Sequence, residues 1–213
     1  LSAHGKPVFD AEWFIVNEQC TGRSLLIKRL LKNLQTRCRP DWRRLEVAAL
    51  YGAAAKQARQ PEFYQAGGVP DTIDGRFDLL SLHIALIMLR LRGEKAADAA
   101  RMRQHLFDFF GADLDRNLRE LGVGDMGIAR RIKVMGQGFY GRLAAYQAAL
   151  AQPEATRITA VMTALDKNLY GTVPTVPEAL RRMAEYVVRT EAALHGYPLE
   201  RFLNGTINFE RFF

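Results

Sequence analysis

Gly122, Gly124 and Gly127 spell G-x-G-x-x-G, the spacing that lets a backbone approach a pyrophosphate where a strand turns into a helix. That chemistry needs a strand before the glycines and an acid about 20 residues further on for the ribose. Phe109 to Leu121 has a helical pattern instead, and the downstream region reads Ala145-Tyr146-Gln147-Ala148. The glycines therefore predict a helix–helix turn, and no cofactor is expected. His83 sits in the apolar run Phe77 to Leu91, and His105 is far from it. With no H-E-x-x-H or H-x-x-x-H spacing, His83 is expected to be a hydrogen-bonded core residue and no metal site is expected. Asp113 and Asp115 stand two apart, which points them to different faces of a helix. They suit ion pairs, Asp115 with Arg119 or Arg116 with Glu120, better than paired acid–base work. Ser2, Ser24 and Ser81 are the only serines, and none lies in a nucleophile elbow. No catalytic constellation emerges, so the chain is expected not to be an enzyme.

Binding chemistry is better represented. Arg130, Arg131 and Lys133 cluster after the glycine turn, with Arg142 beyond them. They form either a solvated helix face or a docking patch for an acidic partner. Phe139-Tyr140-Gly141-Arg142 follows Gly138. Glycines are costly inside a helix, so they imply close packing or the floor of a groove.

The chain carries a net charge of +7, and residues 23–44 alone hold eight basic residues against one acid, the same excess. A charge this local argues against a broadly basic nucleic-acid surface, and no DNA partner is expected. Within it, Leu25, Leu26, Leu30, Leu31 and Leu34 recur at helical spacing with Lys28, Arg29 and Lys32 between them. Residues 23–40 thus predict a basic amphipathic helix, ended by Pro40. Its leucines either enter the headgroup layer of an anionic membrane, with Lys28, Arg29 and Lys32 facing lipid, or pack on the helical body. A ribosome- or RNA-associated module is the competing reading of the same charge, and a nucleotide-binding enzyme that of the glycines. Cys20 and Cys38 are too few for a disulfide framework, and no apolar run reaches the roughly 18 residues of a membrane span.

The elements that position these residues read as helices throughout. Residues 1–22 lack a helical period and are set apart as an extension outside the native domain. Trp42 to Arg59 forms a helix stopped before Pro61. Gly67 to Pro70 forms a loop, and Asp71 or Asp74 caps a helix running to Arg92. Lys95 to Leu121 is a long helix, Asp125 to about Ala151 another, broken by Pro153. Ala155 to Tyr170 and Glu178 to His195 complete the series, with a rigid connector at Val173 to Pro177. The expectation is an all-α class: a single multi-helix domain over residues 41–213 with an N-terminal amphipathic helix.

Several stretches together carry a resemblance. They are Gln57-Ala58-Arg59-Gln60-Pro61-Glu62-Phe63-Tyr64, Gly68-Val69-Pro70-Asp71-Thr72-Ile73-Asp74-Gly75-Arg76-Phe77-Asp78 with Leu82-His83, and Leu106-Phe107-Asp108. Further on come Asp113-Leu114-Asp115-Arg116-Asn117-Leu118-Arg119-Glu120-Leu121-Gly122-Val123-Gly124-Asp125, Phe139-Tyr140-Gly141-Arg142 and Ala145-Tyr146. In order and spacing they resemble the ubiquinol–cytochrome c chaperone family over about residues 51–170. The resemblance implies a non-enzymatic chaperone that holds newly made cytochrome b for complex III. It also implies contacts with the ribosome and a small partner subunit, and a place on the cytoplasmic face of a bacterial inner membrane (the matrix side in a eukaryote). On that reading, Asp71, Asp74, Arg76, Asp115, Arg116, Arg130, Arg131, Lys133, Tyr140 and Arg142 are the expected client-binding residues.

Overall fold

The computed structural model describes residues 43–120, 125–171 and 173–212. The predicted basic helix, with Lys28, Arg29 and Lys32, and glycines 122 and 124 lie outside the described residues. Within the unit Asp41–Phe213, the described residues form eight α-helices and no strand. These are α1 (Arg44–Ala58), α2 (Pro61–Gln65), α3 (Ile73–Arg92), α4 (Ala97–Glu120), α5 (Asp125–Leu150), α6 (Glu154–Asn168), α7 (Pro177–Gly196) and α8 (Leu199–Leu203).

Helix α3 is the axis of the domain and packs against α1, α4, α5 and α7. Its sequence explains this: Leu79, Leu82, Ile84, Ala85, Leu86, Ile87 and Leu91 are all buried, so apolar groups point in nearly every direction. A helix apolar all round must be enclosed by others. Helices α5, α6 and α7 follow one another as packed neighbours, because the connectors at Pro153 and at residues 173–176 are short. Two short helices were not anticipated. In α2, Pro61 occupies the first turn, where its missing N–H costs nothing; α8 begins just after Pro198, which stands at its N-cap.

The cap of α3 departs from expectation. Neither Asp71 nor Asp74 caps it. Thr72 does, its Oγ1 accepting from the Gly75 amide at 3.1 Å. Asp71 is instead drawn away by Arg76, and Asp74 already lies inside the first turn.

Polar groups in the core are bonded mostly to the backbone. Arg90 donates to the carbonyls of Leu194 and Tyr197 and pairs with Glu94. It thereby satisfies the open C-terminal end of α7. His83 is fully buried, as expected of a bonded core residue, with Nδ1 2.8 Å from the Leu79 carbonyl and Nε2 2.8 Å from the Tyr186 hydroxyl. Burial lowers its pKa from 6.5 to about 4, the bond to Leu79 opposing. Asp78 forms an ion pair with Arg142 at 2.7 Å, and burial raises its carboxyl to about 7 against the pull of Arg142.

These two groups bear oppositely on stability. Below pH 6.5 the unfolded chain protonates His83 while the folded protein resists. The contribution of His83 is full above 6.5 and is lost as pH falls towards 4, by up to about 3 kcal/mol. Asp78 holds its proton more tightly when folded. Its contribution is full below about pH 4 and fades as pH rises through 7. The wild-type protein is expected to show a shallow pH dependence between 4 and 6.5. Asp78→Asn should unmask a stability that climbs with pH across that window. Urea unfolding of the variant at several pH values checks this; a flat profile would remove His83 as the titrating group.

Candidate functional site

The expected client-binding residues fall on three elements: the N-terminal end of α3, the outer half of α4, and α5. Aromatic side chains join these elements. Phe77 of α3 stacks on Phe110 of α4, with centroids 5.7 Å apart and planes 13° apart. Phe110 meets Phe139 of α5 at 5.6 Å, and Phe107 meets Tyr140 at 4.9 Å. Tyr51 of α1 closes the cluster against Phe109 at 5.0 Å. The cluster is buried at Phe110 and Phe139 and opens at Tyr140, 40% exposed. Gly136 of α5 lies 3.9 Å from the Phe107 ring, measured from where a Cβ would stand. That is ordinary contact, so Gly136 faces α4 without being required there.

Polar residues border this cluster. Arg76 pairs with Asp71 at 2.6 Å, both side chains well exposed, and its guanidinium lies 5.9 Å from the Tyr64 ring centre. The pairing holds the Asp71 carboxyl below its ordinary value. On α4, Asp113 accepts from the Tyr51 hydroxyl at 2.5 Å and from Asn117 at 3.0 Å, and it pairs with Arg116. Asp115 pairs with Arg119 at 2.8 Å, as its spacing predicts; Arg116 pairs back to Asp113, one turn the other way from Glu120. Burial, helped by the Asp113 bond, pushes the Tyr51 hydroxyl well above its ordinary pKa, so it stays a donor.

Arg59 links the two halves. Exposed at the C-terminal cap of α1, its charge acts on both Tyr64 and Tyr51, and Arg116 also acts on Tyr51. Arg76 thus lies by the Tyr64 ring, and the charges of Arg59 and Arg116 both bear on Tyr51. Arg59 lies within the resembling stretch but is not among the expected binding residues. Nothing in the spacing of residues 59, 76 and 116 shows that three separate helices bring them together.

Other expected residues are placed differently. Arg142 does not face outward: its side chain is 11% exposed, pairs with Asp78, donates to the Asn168 carbonyl at 3.2 Å and lies 5.8 Å from the Phe77 ring centre. It fastens α5 to α3 and α6. Asp74 is exposed in the first turn of α3. Lys133 is exposed on α5, and Arg130 and Arg131 lie in the same helix. On the far side of the α4–α5 contact, burial raises the carboxyl of Asp108 and the hydroxyl of Tyr140, with Asp108 adding to the latter. Among the described residues no group of three His, Cys, Asp or Glu could hold a metal, and no helix is long and apolar enough to cross a membrane.

Fold and face together define an all-α domain whose organised surface is built from tyrosine and arginine, the residue types enriched where proteins bind proteins. The chain belongs to the ubiquinol–cytochrome C chaperone family, which matches it over residues 65–210. It is 23% identical over 146 residues to ubiquinol-cytochrome-c reductase complex assembly factor 1 of Xenopus laevis, covering 68% of this chain and 70% of that protein. It is also similar to the crystal structure of the Cbp3 homolog from Brucella abortus, with a TM-score of 0.69 and 33% identity over 89% of this chain and 97% of that one.

Proposed function

We propose that this protein is an assembly chaperone for ubiquinol–cytochrome c reductase (complex III) and that it holds cytochrome b before that subunit is built in. Family membership supports the chaperone role, and the name of the frog relative supports the complex. The observation that carries the client surface is Arg76 against the Tyr64 ring with Arg59 and Arg116 acting on Tyr51, together with the exposed ring of Tyr140 at the open edge of the aromatic cluster. Guanidinium groups offer several donors in a fixed plane to loop carbonyls and carboxylates, while the half-exposed Tyr64 and the exposed Tyr140 rings take apolar side chains at little entropic cost. Such a surface binds and releases a polypeptide with no covalent step. Arg130, Arg131 and Lys133, all on α5, would steer the encounter.

Photo-crosslinking residues placed at Tyr140 and at Arg59 in cells should both capture cytochrome b. Capture of other proteins only would reject the client assignment. Alanine at Arg130, Arg131 and Lys133 together should reduce complex III assembly severalfold with melting unchanged, because charges on a solvated helix face add little to stability yet speed association, the expected role of this basic cluster. Full assembly in that triple variant would return these three residues to ordinary solvated surface.

A further inference from the structure

A cleft lies elsewhere, between α7 and the segment 204–212 that follows α8. It measures about 680 Å³. One wall is the face of α7 carrying Arg182, Glu185 and Arg189, which are three and four residues apart and so lie in line over about 10 Å. The other wall is non-helical chain from Asn208 to Phe212, a strap across the domain.

The strap is held firmly. Phe212 packs on Phe63 at 4.8 Å and on Tyr186 at 5.6 Å, and Phe209 meets His83 edge-on at 5.1 Å. Gln57 donates to the Glu210 carbonyl at 2.8 Å, and Arg189 to the Phe212 carbonyl at 3.2 Å. The cleft is thus a formed trough with a rigid helix on one side and an anchored strap on the other.

Its charge is lopsided. Arg182, Arg189 and Arg211 line it, and Arg201 lies over the Tyr197 ring at one end, 4.4 Å from the centroid. Against these stand Glu185, already engaged by Arg181 at 3.1 Å, and Glu210. The side chains of Arg182 and Arg211 are exposed and make no ion pair or hydrogen bond among the described residues. Tyr197 and Phe209 add aromatic surface.

We propose that this trough is a docking site for an acidic, extended segment of a partner protein. Carboxylates would pair with Arg182 and Arg211, and an apolar side chain would rest against Tyr197 and Phe209. An extended chain can reach Arg182 and Arg211 while resting a side chain on the aromatic pair, and the excess of guanidinium groups sets the sign of the partner's charge. The site uses α7 and the strap, not the tyrosine–arginine face on α1, α3 and α4, so it goes beyond the client assignment and stands or falls separately from it.

The test is fluorescence anisotropy of the full chain with a labelled Glu- and Asp-rich peptide carrying one central Phe. A peptide with Lys in place of the acids serves as control, and inorganic polyphosphate as competitor. Expected results are saturable binding of the acidic peptide only, weakened at least about tenfold in R182E/R211E and also weakened in Y197A. Both variants alter exposed or half-exposed side chains, and their melting curves establish that the fold is kept. The proposal is overturned if the acidic peptide does not saturate, if R182E/R211E binds it as wild type does, or if polyphosphate displaces it completely at equal charge. That last result would make the trough a general anion surface.

Discussion

Leu86→Asp is expected to leave no soluble, folded protein. Leu86 is 1% exposed in the middle of α3, the helix that every large element except α6 packs against. Its neighbours along the helix, Ala85 and Ile87, are fully buried, and Leu82 is enclosed one turn earlier. A carboxylate there has no cation to meet: Arg90, one turn on, is committed to Glu94 and to the carbonyls at the end of α7. An uncompensated buried charge costs several kcal/mol, and the lost leucine packing removes about 2–5 more. Total stability of about 5–15 kcal/mol does not survive both. Leu86→Met, which keeps volume and polarity, should cost less than about 1.5 kcal/mol. Soluble yield and a melting curve for the pair provide the measurement. A cooperative transition in Leu86→Asp near that of wild type would displace α3 from the centre of the domain.

The second large effect comes from one atom's worth of space. Gly75→Ala should destabilise the protein by about 3 kcal/mol, lowering Tm by roughly 6–12 °C. Gly75 lies in the first turn of α3, and a Cβ there would fall on the Pro70 carbonyl oxygen, well inside contact distance. The loop cannot easily retreat. Val69 is buried and donates to the Phe63 carbonyl at 3.0 Å. Gly67 receives the Tyr170 hydroxyl at 2.5 Å, and a Cβ on it would stand 2.5 Å from the Phe63 oxygen. The same substitution on an open helix surface has the opposite sign, since alanine is favoured over glycine in helices by about 1 kcal/mol. Gly52 in α1 has nothing within 4 Å of a Cβ, so Gly52→Ala should stabilise. Opposite signs at the two positions would establish the close crossing of loop and helix; a stabilised Gly75→Ala would show that the loop is free to move. Because this loop carries Asp71 beside Arg76, a destabilised Gly75→Ala should also crosslink poorly from the neighbouring face.

Much of the architecture was legible in the residues. The long helices were found within a few residues of their ends because Gly and Pro stop them and apolar periodicity fills them. The burial of His83 followed from its position in an unbroken apolar run. Errors arose where local chemistry had two solutions. Three polar residues, Asp71, Thr72 and Asp74, could each cap α3, and the choice of Thr72 depends on Arg76 engaging Asp71 across the same turn. Helices α2 and α8 escaped notice because five residues are too few to show a period. Arg142 looked like surface because an arginine near other basic residues usually is. Only the position of Asp78 on a neighbouring helix turns it inward.

By itself the sequence determined the all-α class, the central helix and the family, since these depend on composition, period and the order of motifs along one chain. The tertiary structure alone decided which charges act together. Arg59, Arg76 and Arg116 are 17 and 40 residues apart in sequence, at the cap of α1 and in α3 and α4, yet act on the same two tyrosines. The strap that meets Arg189 comes from beyond α8. Coulombic and hydrogen-bonding partners are chosen by distances of a few ångströms in space, and helix packing, not spacing along the chain, sets those distances.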